Sequence, residues 1–465
     1  MGSIRTYVYN YLFSRGLGGK VILRMDDTDS SRLKIGSEQD ILSGLKWLGL
    51  LWDEGLEVSG NYGPYYQSQR NNIYTLYANK LIEEGKAYRC FCTKEEIDSK
   101  REKAIENGIP YKYDKLCRKL DDKTLSENLK SNKPYTIRIK SNETYDHDFI
   151  LLRSNGVATY NFTTSVDDYL MKITHVIRGI EHHDNTLKQK QILEALGCKI
   201  PEYIHCSLVL NPNKTKISKR DDNYITVSKL RNEGISPLVL INYLALLGTS
   251  YANSGTVYGL DDLVKLFSLD MITNVPIVFD YDRLKWMNKL YITSIDIETF
   301  LHELFEHIDF LEENDNLKMD SKSLKLIAER IVCPFKKQTH TYKEFVSIIY
   351  NSLAYDAPHF EDLNDKGMIT QALNDFKTRI VELTKKCSHS EELYSNFLNV
   401  VKELEKLKSA KYNISTIRYM MTGHKSGPPF MEMVKIWKIA EEYKIENFIT
   451  LRERIAILDS LKIKV

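Results

Sequence analysis

The hydrophobic period of this 465-residue chain changes once, and that change limits its possible folds more than any other feature. Before about residue 228, helical patterns alternate with short apolar runs such as Val21-Ile22-Leu23 and Leu208-Val209-Leu210, which read as buried strands. After it, helical patterns dominate. Leu238 to Leu247 is strongly apolar, and the segment from about residue 300 is charged, helical in period and free of detectable repeats. Alternating strands and helices predict an α/β front half, and the remainder predicts an all-helical back half.

Within the front half, Ile4, Val8 and Leu12 fall on one helical face beside Tyr7 and Tyr11, until GLGG ends the helix. A second amphipathic helix runs from Gly36 to Leu48, with Ile41, Leu42, Leu45 and Leu48 on one side. GNYGPYYQSQ is a turn-rich break, residues 69–84 are helical, and AYRCFC alternates as a strand does. Residues 93–130 are polar and helical or irregular. NKPYTIRIKS and HDFILLRSNGVATYNF predict further strands. SVDDYLMKITHVIRG is strand-like and leads into a polar turn, and NTLKQKQILEAL is a helix.

With 65 basic and 63 acidic residues, the net charge of +2 gives no global attraction to polyanions, so nucleic-acid contact has to come from local basic patches. No apolar run reaches transmembrane length and no signal peptide is present, which predicts a soluble intracellular protein. Seven cysteines, an odd count in a long chain, speak against a disulfide framework and for a metal site or buried thiols.

Three local patterns carry chemistry. KTKISKRDD places Lys214, Lys216, Lys219 and Arg220 within seven residues, directly after an apolar strand. Loops after strands of α/β sheets bind ligands, and such cations can neutralise a triphosphate. A solvated basic turn gives the same string. Cys90, Cys92 and Cys117 gather within 28 residues, with Tyr113 four residues before the last, as a metal site or as incidental thiols. Residues 401–425 hold Lys402, Lys406, Lys408, Lys411, Arg418 and Lys425 against Glu403 and Glu405, a local charge of +4 in a nearly neutral chain. That is a polyanion-binding patch or a solvated helix face.

KISKR, Lys216 to Arg220, resembles the signature loop of class I aminoacyl-tRNA synthetases in the form used by glutamyl-tRNA synthetases. GSIRTYVYNYLF, GGKVILRMDDTD, YGPYYQSQR, ATYNFTTSVDD, THVIRGIEHHDNT, SLVLNPNKTKISKR and LINYLALLG resemble segments of that family in family order. STIRYMMTGHKSGPPFMEMV resembles the anticodon-domain segment of its bacterial-type members, so the resemblance covers nearly the whole chain. It implies an α/β Rossmann-like catalytic domain in two parts, 1–68 and 158–211. An α/β insertion at 69–157 touches the acceptor stem, a stem-contact domain spans 212–298, and a helical anticodon-binding domain spans 299–465. It further implies ATP-dependent ligation of L-glutamate to tRNA(Glu) through a glutamyl adenylate, with Mg²⁺, by a monomer in the cytoplasm or an organellar matrix. A non-discriminating or tRNA(Gln)-charging enzyme and a catalytically impaired tRNA-binding paralogue are the alternatives. The length of the tail speaks against the shorter glutamyl-queuosine tRNA modifier, which lacks an anticodon domain.

The resemblance also assigns residues. Lys216, Ser218, Lys219 and Arg220 are catalytic, with Lys219 stabilising the transition state of adenylation at the ATP phosphates. Gly2, Ser3, Glu181 and His182 fall where the family contacts ATP. Glutamate needs an acid for its ammonium and an arginine for its side-chain carboxylate. The DDTD run offers Asp26, Asp27 and Asp29, and Asp26 matches a position usually held by glutamate, one methylene longer. Arg178, at the end of an apolar strand, matches the carboxylate-binding arginine, and Tyr160 lines the same pocket. Cys90, Cys92, Tyr113 and Cys117 match a structural zinc site of some relatives, with Lys119 in place of a frequent histidine. Arg418, Tyr419 and Lys425 are the candidates for tRNA contact.

Family members place a strand and a loop resembling APSPTGxLHIG before the first helix. Met1-Gly2-Ser3 matches the last three positions of the four-residue HIGH-type signature. The expectation is a missing first strand, an uncovered parallel sheet edge and weak adenylation by the chain as written. About ten to twenty upstream residues, a strand plus a loop, would then restore activity.

Overall fold

The computed structural model describes the chain apart from residues 29–36, 143–146, 212, 216–224, 250–254, 274, 359–367, 407–413 and 462–465, and apart from the side chains of 37, 368–373 and 405–406. It forms two compact units, one of residues 1–225 with 240–280 and the other of 226–239 with 281–465. The stem-contact segment expected at 212–298 is therefore shared between them.

The first unit opens with α1 (Gly2–Gly16), which buries Val8, Tyr9 and Leu12. The helix stops because Gly18 takes φ +66°, which lets the Gly18 and Gly19 amides return to Arg15 O and Ser14 O. β1 (Ile22–Leu23), α2 (Ser37–Trp47) and β2 (Glu54–Gly55) follow, and β1 pairs with β2 in parallel. Leu42, Leu45 and Leu48 are buried as the helical period predicts, but Ile41 is exposed. After α3 (Asn71–Glu83) comes the insertion. Its antiparallel sheet has the order β3 (Ala87–Cys90), β4 (Thr136–Ile139), β5 (Ile150–Leu152), with α4 (Lys94–Glu106) and α5 (Asp122–Lys130) between the first two strands. Then come α6 (Tyr160–Leu170), β6 (His175–Gly179), α7 (His183–Ala195) and β7 (Glu202–Cys206), the last three a parallel βαβ unit with Arg178 opposite His205. β8 (Val209–Leu210) pairs in parallel with β9 (Ile277–Val278). Among the described residues no strand pairing joins β1–β2 to β6–β7.

One expectation fails here. ATYNF and SVDDYL read as strand, yet residues 160–170 are α6. Thr, Val and Tyr favour strands by propensity. The buried side of α6 carries Thr163, Ser165, Asp167 and Asp168 beside Phe162 and Val166, so its apolar stripe is narrow and interleaved with polar residues. Hydrogen bonds to α3 and to the turn before it add to that packing, as described below. The strand readings survive at 150–152 and 175–179.

The second unit is helical throughout its described residues, from 227–232 and 281–294 to 430–442 and 451–460. Phe300, Leu304, Ile327, Ile331, Phe345 and Ile349 make one core. Phe376, Phe397, Met421, Phe430, Trp437 and Ile455 make another. Buried Arg454 lies against Trp437, 4.5 Å from its ring, and donates to Ile449 O and Met421 O. No helix among the described residues is long and apolar enough to cross a membrane.

Candidate active site

The strand period of two places Arg24 and Asp26 on one side of the chain leaving β1. The intervening Met25 spends its backbone on Tyr65 O and the Gln67 amide, extending the parallel pairing. Arg24 and Asp26 line a cavity of about 650 Å³ together with Tyr160, Thr164 and Asp168 of α6 and Arg178 of β6. Of the residues expected to bind glutamate, the fold therefore brings Asp26, Tyr160 and Arg178 to one cavity.

Arg178 is only 9% exposed, and its partners are neutral. Nη1 donates to Gln189 Oε1 at 2.7 Å, and Nη2 donates to Thr186 Oγ1 at 2.7 Å and to His182 O at 3.2 Å. Thr186 and Gln189 are one turn apart on α7, so a single helix face aims the guanidinium. Thr186 Oγ1 lies 3.0 Å from His205 Nε2. Burial, reinforced by Arg178, holds His205 below the ordinary histidine range, which favours a neutral ring beside the guanidinium. Arg178 Nε is buried without a partner, and no carboxylate among the described residues pairs with this cation. A buried guanidinium of this kind is a receptor for an anion.

The acidic side is built differently. Arg24 Nε lies 3.0 Å from Asp26 Oδ1 and its Nη1 lies 3.2 Å from Asp168 Oδ1. Asp167 is fully buried and accepts from Arg70 Nε at 2.7 Å, Gln67 Nε2 at 3.0 Å and the Tyr74 hydroxyl at 2.8 Å. This network anchors α6 to α3 and to the turn preceding it. Burial pushes Asp168 up to about 6, although Arg24 opposes the shift. Arg24, Thr164 and Asp168 were missed in the sequence. Their signal was present as Tyr160, Thr164 and Asp168 at successive helical i+4 positions, but it is visible only once 160–170 is read as a helix.

Other expected residues lie elsewhere. Gly2 and Ser3 are exposed at the start of α1, and Glu181 is exposed after β6. His182 is half-buried with its ring 6.0 Å from that of Tyr160. None of these four lines the cavity. Asp27 is spent on Ser68, accepting from its amide and its hydroxyl at 2.8 and 2.6 Å. Asp29 and the loop residues Lys216, Ser218, Lys219 and Arg220 lie outside the described residues.

The insertion assembles its cysteines. The sulfurs of Cys90, Cys92 and Cys117 lie within 4.8 Å of one another, with Cys92 and Cys117 at 3.5 Å. The Tyr113 hydroxyl is 3.2 Å from Cys90 Sγ and 3.5 Å from Cys92 Sγ. A tetrahedral site with Zn–S bonds of about 2.3 Å has edges of about 3.8 Å, so the donor set fits zinc. Hydrogen bonding to Cys117, with help from Tyr113, holds the Cys90 thiol well below the ordinary range against its burial, and the same bond pushes Cys117 up. All seven cysteines are free of disulfides.

Of the tRNA-contact candidates, Arg418 and Tyr419 are 8% and 5% exposed, packed into the helix 414–422. A count of charges along the sequence cannot see that inward turn. Lys425 is exposed, with its ammonium 5.7 Å from the Tyr419 ring centre.

Comparison with known proteins agrees with this geometry. A family model described as tRNA synthetases class I (E and Q), catalytic domain, matches residues 1–286. Glutamate–tRNA ligase 2 of Caldicellulosiruptor saccharolyticus is 34% identical over 462 residues, covering 94% of this chain and 93% of the relative. The glutamate–tRNA ligase of Carboxydothermus hydrogenoformans is 35% identical, covering 96% of each chain. A solved glutamate tRNA ligase from Elizabethkingia meningosepticum, in complex with its amino acid, matches with a TM-score of 0.75 at 27% identity, covering 99% of this chain and 97% of that one. The parallel βαβ units, the anion-receptive arginine and these matches lead to one conclusion: the chain belongs to the glutamate–tRNA ligase family of class I aminoacyl-tRNA synthetases.

Proposed function

We propose that this chain joins L-glutamate to tRNA(Glu) through a glutamyl adenylate. The observation that carries the reading is the polarity of the cavity, with a buried guanidinium on β6 that no carboxylate among the described residues pairs with, and carboxylates by the end of β1. The side-chain carboxylate of glutamate pairs with Arg178, its ammonium faces Asp26, and Tyr160 packs along its methylenes. An oxygen of the α-carboxylate then attacks the α-phosphorus of ATP in line, and the bond to pyrophosphate breaks. Lys216, Ser218, Lys219 and Arg220 hold the phosphates and stabilise the charge that develops on them, with Gly2, Ser3, Glu181 and His182 assigned to the rest of the nucleotide. Bound Mg²⁺ supplies further charge neutralisation. The terminal ribose hydroxyl of the tRNA next attacks the acyl carbon and AMP leaves, so no protein nucleophile is required.

Arg178 favours a carboxylate over the amide of glutamine, whose NH₂ would face a donor. Cys90, Cys92, Cys117 and Tyr113 hold a structural Zn²⁺ that orders the acceptor-facing insertion, and Lys425 contacts the tRNA as one exposed member of the basic patch. The enzyme works as a cytoplasmic monomer.

ATP–pyrophosphate exchange with glutamate, with and without tRNA, tests the adenylate. Exchange dependent on glutamate and not on glutamine supports it. Failure of exchange alongside retained tRNA binding overturns it in favour of a tRNA-binding paralogue. Charging of tRNA(Glu) against tRNA(Gln) separates a discriminating enzyme from a non-discriminating one.

A further inference from the structure

Among the described residues, the acidic side of the cavity holds more negative charge than is matched. Asp26, Asp167 and Asp168 share two guanidiniums. Arg70 is committed to Asp167, and Arg24 is divided among all three carboxylates, at 3.0, 3.6 and 3.2 Å from Asp26, Asp167 and Asp168. The unmatched charge is not in bulk water, because the Asp168 side chain is only 8% exposed and lines the cavity. The charged groups acting most on Asp168 are Arg24, Asp26 and Asp167, and the phenol of Tyr203 on β7 faces it as well. Lys20 and Lys172 also line the cavity but are exposed.

One further atom points to a ligand in this space. Arg178 Nε is buried and unpartnered in the same cavity. Asp26 alone is a weak receiver for an ammonium. It is the shorter acid, and its side chain is 37% exposed.

We infer that Asp168 is the principal partner of the substrate ammonium, with Asp26 supporting it and Arg24 acting as a positioning residue that holds both carboxylates in place. The inference rests on the glutamate reading given above. It supplies the missing reach of Asp26 from a second, deeper acid on α6, and the incoming cation completes the charge balance of the cluster.

The test compares glutamate with glutarate, which keeps both carboxylates and lacks the ammonium. Binding of each to the full chain and to Asp168→Asn is measured by calorimetric titration, with a thermal melt of both proteins. The expected result is a loss of about tenfold or more in glutamate affinity, the loss of one charge-assisted hydrogen bond, with glutarate changed less than about threefold. The variant should melt at the same temperature or higher, because a buried unmatched charge is gone. Unchanged glutamate affinity, equal loss of both ligands, or a lowered melting temperature overturns the inference. Glutarate binding that depends on Arg178 while Asp168→Asn leaves glutamate untouched removes only this inference. A parent chain that binds neither ligand removes the glutamate reading with it.

Discussion

Asp167→Asn is the sharpest test of how α6 is held. The substitution keeps shape and size but converts one carboxylate oxygen to an NH₂. Both oxygens of Asp167 face donors: Oδ1 accepts from Arg70 Nε, and Oδ2 accepts from Gln67 Nε2 and the Tyr74 hydroxyl. Either orientation of the amide therefore sets a donor against a donor in a site with no water access. Breaking a buried ion pair from one side costs about 3–5 kcal/mol. Arg70 keeps two bonds from Nη1, to Tyr62 O and Pro64 O at 2.9 Å each, so the lower end, about 3 kcal/mol, is expected here. A global melt reports both units together and does not assign a change to α6. Native-state hydrogen exchange of peptides from 160–170 reads the local stability directly, with the helix 451–460 of the other unit as internal control. At about 1.4 kcal/mol per tenfold, exchange in α6 should speed up by roughly a hundredfold while the control stays constant. A change in α6 of less than about threefold would refute the claim that this network contributes substantially to holding the helix.

Four further outcomes follow from the geometry. Arg178→Lys removes the fork that meets Thr186 and Gln189 together, and should raise the KM or Kd for glutamate by about tenfold or more while leaving that for ATP within about twofold. Asp168 has its folded pKa raised to about 6 by burial, so its contribution to stability is full below the ordinary carboxylate range and is lost as pH rises through about 6. The melting temperature of Asp168→Asn relative to the parent should accordingly rise between about pH 4 and pH 6, and a flat difference would contradict the shift. Purified chain should carry about one zinc, and Cys117→Ser should lose it together with protection of residues 87–152 against exchange. Lys425→Ala should weaken tRNA binding and lower its salt slope by about one, whereas Arg418→Ala should destabilise the helical unit, read by its melt, with no change in that slope.

The sequence was most readable where chemistry and hydrophobic period agree. Val8 and Leu12 are buried as spaced, GLGG ends α1 through Gly18, and the clustered cysteines meet in space. Arg178 was found because an arginine at the end of an apolar strand needs an anion. Two failures share one cause. α6 buries Thr163, Ser165, Asp167 and Asp168 beside Phe162 and Val166, and the helix 414–422 buries Arg418 and Tyr419 beside Ile417, Met420 and Met421, so polar side chains share the inward face in each case. A hydrophobicity pattern assigns such side chains to solvent. Only the partners, Arg24 and Arg70 for the acids of α6, reveal the true direction, and those lie 144 and 97 residues away in the chain.

The path of the chain between the two units has a consequence for exchanging parts among such proteins. Residues 226–239 belong with 281–465, although 240–280 separates them in sequence. Gly234, at φ +71°, offers its carbonyl to the Tyr342 amide at 3.0 Å, and a Cβ there would lie 2.6 Å from the Lys343 nitrogen. The Ser236 amide donates to Asn288 Oδ1 at 2.8 Å, and Lys343 pairs with Glu233 at 2.9 Å. Cutting and grafting at a single junction near residue 280 would strand this clasp on the donor side. The helical unit can therefore be recombined with another catalytic unit only by moving two separate stretches together, and a gene fusion that carries one stretch alone would deliver an unlatched bundle.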